Sequence, residues 1–200
     1  MATLVHFEKA RIDKAAAHDD SRPILTQVYV DLVRQVMYAT DGYMMAINRV
    51  QVDRDEDDDV PEVVGIPHKA MSYLLSCRGP KLTFGMRMVD GLVVVWCGER
   101  QIAVSPPEKP PPIAKVALTV AEMELEAVAC FDARRLAKLA DAMGETYLAV
   151  GYSEPSASLL IAVNGSAGVL MPWFSDNKDK WVAQAKELLA LPSKEDDDEV

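Results

Sequence analysis

The sequence predicts an α+β fold assembled from about three similar units, each a strand, a helix and three further strands. Three observations carry that expectation. Short segments rich in Val, Ile and Tyr alternate with tight-turn dipeptides such as Asp41-Gly42 and Asp90-Gly91. Two amphipathic helical patterns, one from Pro67 and one from Asp132, are each followed by strand-like segments. The same grammar returns at a spacing of roughly 55–60 residues, as units that bury one another's open faces would.

A short apolar stretch from Thr3 leads into the helical stretch FEKARIDKAAAH, where Arg11, Lys14 and His18 share a face. Ser21-Arg22-Pro23 ends it, because proline disfavours helix at the residue before it. Ile24–Leu32 and Gln35–Thr40 read as strands, and Tyr43–Val52 returns across the Asp41-Gly42 turn as another. Val60–Ile66 opens the second unit, and Pro67 starts the helix HKAMSYLLSC at a position where proline is favoured. Ala70, Met71, Leu74 and Cys77 form its apolar stripe, opposite Lys69, Ser72 and Ser76. Lys81–Val89, Leu92–Trp96 and Gln101–Ser105 complete the unit as strands.

These segments form one expected domain, residues 1–105. Residues 106–112 are a proline-rich, semi-rigid linker. Residues 113–174 make the third unit: strands Val116–Val120 and Glu124–Phe131, the helix ARRLAKLADAM capped by Asp132 and Gly144, then strands Tyr147–Tyr152, Leu159–Val163 and Gly168–Met171. Residues 175–200 hold an amphipathic helix, Lys178–Leu191, anchored by Trp181, Leu188 and Leu189, and an acidic tail.

With 200 residues, 50% hydrophobic and 26% charged, the chain is large enough to bury a core and too ordinary for wholesale disorder. No run of apolar residues is long enough for a membrane-spanning helix, and no signal peptide is visible, so a cytoplasmic protein is expected. The formal charge of −10 is concentrated in Asp53–Asp59, read as a solvated loop, and in Glu195–Glu199. Without those runs acids and bases balance, which leaves room for a local basic face.

An enzyme is the poorer reading. No phosphate loop, dinucleotide-binding fingerprint or nucleophile elbow is present. His6, His18 and His68 lack the spacing of a metal site, and Cys77, Cys97 and Cys130 read as reduced, half-buried thiols. Asp41 reads as a turn aspartate bonded to its own backbone. No cofactor and no metal are expected.

Five segments in order resemble the bacterial DNA polymerase III β sliding clamp family: AHDDSRPIL (Ala17–Leu25), ATDGYMMA (Ala39–Ala46), VGIPHKAMSYLL (Val64–Leu75), FDARRLAKLADAMG (Phe131–Gly144) and VLMPW (Val169–Trp173). The resemblance implies a DNA-clamp fold in which this chain supplies one full clamp domain plus a half domain. It differs from the family in having about three half-units rather than six, in carrying Tyr43-Met44 where His-Arg is usual, and in the residues after Trp173.

The resemblance implies a non-enzymatic processivity factor that contacts or encircles double-stranded DNA without sequence preference. It would tether a polymerase or another clamp-motif protein through an apolar peptide-binding pocket. Leu25, Thr40, Gly42, Tyr43, Met44 and Met45 would form one wall; Val169, Met171, Pro172 and Trp173 would form the other. Arg11, Lys14, Lys69, Arg78, Arg134, Arg135 and Lys138 would face phosphates. A homo-oligomer and a clamp loader follow as expected partners. The alternative is a monomeric clamp-like regulator or decoy that binds clamp-motif peptides without encircling DNA.

Overall fold

The computed structural model describes residues 2–19, 21–42, 44–55, 57–107, 110–112, 133–137, 150–153, 158–163, 166–170 and 178–189. The chain divides into two compact units, one comprising Met1–Ala121 with Leu188–Val200 and the other Glu122–Glu187.

The first unit contains two antiparallel sheets. The five-stranded sheet has the order β5-β1-β7-β8-β9, formed by Gln51–Asp53, Thr3–Glu8, Lys81–Val89, Leu92–Cys97 and Arg100–Val104. The four-stranded sheet has the order β4-β3-β2-β6, formed by Met45–Arg49, Val36–Thr40, Gln27–Asp31 and Val63–Pro67. Strand alternation explains the core between them. Val5 and Phe7 of β1 and Leu82, Phe84 and Met86 of β7 point inward from the first sheet. Val28, Val30, Met37, Ala39, Val64 and Ile66 point inward from the second. Helix α1 (His68–Leu75) adds Met71, Leu74 and Leu75, the stripe its sequence predicts with Leu75 in addition. Pro67 closes β6 and caps α1.

The opposite face of the second sheet has its own small cluster. Tyr29 and Tyr38 sit in register and stack with ring centroids 5.2 Å apart. Val36 completes the buried set, with Met45, Ile47, Val63 and Leu188 packed against it. Burial pushes the Tyr29 hydroxyl up to about 12, and its proton is donated to the Ile24 carbonyl at 2.7 Å.

Four sequence expectations change in this unit. Ile24–Leu32 is not all strand: Pro23–Leu25 is a 3₁₀ turn, and β2 begins at Gln27. FEKARIDKAAAH is not a helix: β1 extends through Glu8, and Ile12–Ala15 is a single 3₁₀ turn. Phe7 belongs to a ladder of six register pairs with β7, and the few residues left are too short to support an isolated helix. Tyr43–Val52 is not one strand. Val50 is buried, and there the chain passes from the second sheet to the first, splitting the segment into β4 and β5. The acidic loop is fastened to the body. Asp58 accepts the hydroxyl of buried Thr3 at 2.7 Å, and Arg54 Nη2 donates to the carbonyls of Asp58 (2.8 Å) and Val60 (2.5 Å).

In the second unit, residues 133–137 are helical, and β10 (Val150–Ser153), β11 (Ser158–Val163) and β12 (Ser166–Leu170) form an antiparallel three-stranded sheet in that order. Helix α2 runs over Lys178–Leu189. Trp181 is 42% exposed, and Leu188 packs on the Tyr29–Tyr38 cluster. The strands expected at Val116–Val120 and Glu124–Phe131 lie outside the described residues. Among the described residues, no helix is long and apolar enough to cross a membrane.

Candidate functional site

The Thr40–Met45 turn is built by its own side chains. Thr40 Oγ1 accepts the Gly42 N–H at 3.0 Å and donates to the Met44 carbonyl at 2.7 Å. Asp41 Oδ1 accepts the Met44 N–H at 2.9 Å, the self-capping role its sequence position implies. Gly42 has φ +94°, a conformation L side chains rarely adopt. The turn lies beside the segment before β2. A Cβ placed on Gly42 would stand 3.6 Å from Leu25 Cδ1 and from Arg22 Nη1. Leu25 belongs to a 3₁₀ turn, Pro23–Leu25, whose end is fixed by the Ala17 N–H donating to the Leu25 carbonyl at 2.8 Å.

Apolar side chains surround these hydrogen bonds. Met44 is 53% exposed, Ile24 beside Leu25 is 50% exposed, and Leu25 and Met45 are half-buried. Of the predicted first wall, the structure brings Gly42 against Leu25, links Thr40 with Gly42 and Met44 by hydrogen bonds, and places Met45 at the start of β4. Tyr43 lies outside the described residues. Ile24 was missed; its signal was an apolar residue following Pro23 in a segment read as strand. Of the second wall, Val169 is on β12, and Met171, Pro172 and Trp173 lie outside the described residues.

The cationic residues predicted to face DNA are dispersed in role. Arg11 is exposed, yet its Nε and Nη2 donate to the Asp13 carboxylate at 2.8 and 2.7 Å, and Nη2 also reaches Ser72 Oγ of α1 at 3.2 Å. That guanidinium holds the buried Asp13 carboxyl below its ordinary range. Arg11 is therefore a tie between the 3₁₀ turn and α1 as much as an outward charge. Lys14, Lys69 and Arg78 are exposed in the first unit. Arg134 and Arg135 are exposed in the second, and Lys138 lies outside the described residues.

Sequence reading did not anticipate an open cleft of about 450 Å³ after α1. Arg78, Lys81 and Arg100 line it together with Glu99, Cys77 and Cys97. Arg100 lies over the Tyr73 ring at 5.3 Å. Cys77 donates its S–H to the Cys97 carbonyl at 3.0 Å, and burial pushes the Cys97 thiol up to about 12. The Cys97 thiol therefore stays protonated at neutral pH. Cys77 is half-buried and Cys97 buried, both as free thiols.

Comparison with known proteins places this architecture. Neither protein-family models nor curated proteins match the sequence. Solved structures do match. DNA polymerase III subunit beta from Borrelia burgdorferi, in complex with a natural product, aligns with a TM-score of 0.56 at 17% identity, over 89% of this chain and 51% of that one. Caulobacter crescentus pol III beta aligns with a TM-score of 0.50 at 15% identity, over 93% of this chain and 57% of that one. The chain thus has a partial sliding-clamp fold, mixed α and β, and spans a little over half the length of these clamp subunits.

Proposed function

We propose that this chain is a clamp-type tether without chemistry of its own. It holds a short apolar peptide of a polymerase or other clamp-motif protein on the surface formed by Leu25, Gly42 and Met44, and it contacts double-stranded DNA through phosphates. The observation that carries the reading is the placement of Leu25 beside Gly42, which has a positive φ, next to half-exposed Ile24 and Met44. Apolar, adaptable methionine beside a pre-formed turn suits a peptide whose backbone must lie close to the protein. Tethering then works through effective concentration: a partner held at the DNA rebinds before it diffuses away.

The test is a titration of a fluorescent clamp-motif peptide by anisotropy. Leu25→Ala with Met44→Ala is expected to weaken binding tenfold or more while circular dichroism is unchanged, because both side chains are at least partly exposed. Unchanged affinity overturns the pocket. Tyr43→Ala with Met171→Ala tests the wall residues assigned by motif in the same assay.

Assembly is the second part of the reading. Light scattering after gel filtration is expected to give a closed homo-oligomer, the state in which a chain of about three half-units encircles DNA. A monomer at every concentration removes encirclement and a loader from the proposal. It favours the reading as a regulator that competes for clamp-motif peptides.

A further inference from the structure

The fold brings together two histidines that lie fifty positions apart in sequence. His18 Nδ1 and His68 Nε2 are 3.3 Å apart, and the rings meet edge to face with centroids 4.7 Å apart. Their protonation pattern follows from a third group. His68 Nδ1 lies 3.2 Å from the Thr26 carbonyl oxygen, which can only accept a hydrogen bond. In the neutral ring, Nδ1 therefore carries the proton and Nε2 presents a lone pair toward His18. The backbone locks this arrangement, since the His68 N–H donates to the same Thr26 carbonyl at 2.9 Å. On the other side, the bond from the Ala17 N–H to the Leu25 carbonyl closes the loop that carries His18.

An imidazole that donates its far N–H to a backbone carbonyl and offers its near nitrogen to a neighbour has the outer support typical of metal-binding histidines. The spacing fits as well. Metal–nitrogen bonds of about 2.0–2.1 Å at a tetrahedral angle put two ligand nitrogens roughly 3.3–3.4 Å apart. His18 is exposed, so its ring is free to turn toward a common point.

We propose that His18 and His68 form a two-histidine site for a borderline divalent transition-metal ion of the zinc class. Imidazole nitrogen favours such ions over the hard cations magnesium and calcium. On binding, the proton on His18 Nδ1 passes through solvent to Nε2 of the same ring, so no net proton is released. Among the described residues no cluster of three or more His, Cys, Asp or Glu adds a larger ligand set. The bound ion joins the loop ending in Leu25 to the first turn of α1. The inference stands independently of the peptide-binding reading.

The test is nuclear magnetic resonance of the imidazole groups in the full chain during titration with zinc chloride. His6 is the internal control, because its nitrogens are engaged elsewhere, with Thr83 Oγ1 at 2.9 Å and Asp53 Oδ2 at 3.1 Å. The His18 and His68 resonances are expected to move along one isotherm that saturates at one equivalent, with His6 unmoved and no response to magnesium chloride. Removing one ligand by His18→Ala, an exposed position whose loss leaves the fold intact, is expected to weaken zinc binding at this site at least about tenfold. Zinc uptake that leaves the two resonances in place locates the ion at carboxylates or thiols and overturns the proposal. So does a His68 shift that persists unchanged in His18→Ala.

Discussion

Asp31→Ala is expected to lower the unfolding free energy by about 3–5 kcal/mol, the cost of removing one partner from a buried ion pair. The Asp31 side chain is 2% exposed and that of Arg34 is 11% exposed, so water screens the pair little. Oδ2 accepts from Arg34 Nη1 at 3.0 Å. Oδ1 accepts the backbone N–H groups of Val33 at 3.1 Å and Arg34 at 2.8 Å. One carboxylate thus neutralises a guanidinium and satisfies the turn from β2 to β3, whose last residue, Gln35, holds the strained φ of +53°. Alanine removes all three accepted hydrogen bonds at once. Asp31→Asn keeps a side-chain oxygen for the turn and is expected to cost less. Urea unfolding measures both. A lower midpoint at constant slope is the expected result, and a loss for alanine below about 1 kcal/mol would show that the pair is not desolvated as the structure has it.

Phe84→Ala is expected to cost about 3–5 kcal/mol as well, by a different route. Phe84 is fully buried on β7, opposite Val5 of β1, and its ring meets Phe7 edge to face at 4.7 Å. Truncation removes apolar burial, leaves a cavity and deletes an aromatic pair worth about 0.5–1.5 kcal/mol beyond its area. Phe84→Leu keeps most of the volume and is expected to cost under about 1.5 kcal/mol. The contrast between the two variants in the same urea experiment separates cavity formation from a merely local effect; equal losses would count against a packed core at this point.

Much of the local structure was legible in the sequence because it is decided locally. The stripe of α1, the three strands that follow it and the Asp41-Gly42 turn depend on periodicity and on residues hydrogen-bonding to near neighbours. What was not legible depends on distant partners. Phe7 looked helical in its own segment, but Leu82 across the sheet claims its position for a strand. Val50 gave no sign that the chain changes sheets there. Asp58 read as one acid in a solvated run until Thr3 and Arg54 supplied partners. The candidate site shows the same division. The turn from Thr40 to Met44 could be read from its residues, and Leu25 was assigned by resemblance, but the exposure of Ile24 follows from tertiary packing. The histidine pair illustrates the limit: spacing along the chain argued against any site, and only the fold brings His18 and His68 together.

The position of β1 also has a consequence for synthesis. This strand lies inside its sheet, between β5 and β7, so both of its edges wait for residues made later. The β5 partners follow by some forty-five to fifty residues, and the β7 partners by more than seventy. A growing chain therefore carries Leu-Val-His-Phe with open hydrogen-bonding edges until Lys81–Val89 has left the ribosome, and the sheet closes through long-range pairing, the slow kind. During that interval the segment exposes an unpaired strand edge of the kind that makes folding intermediates prone to wrong pairing.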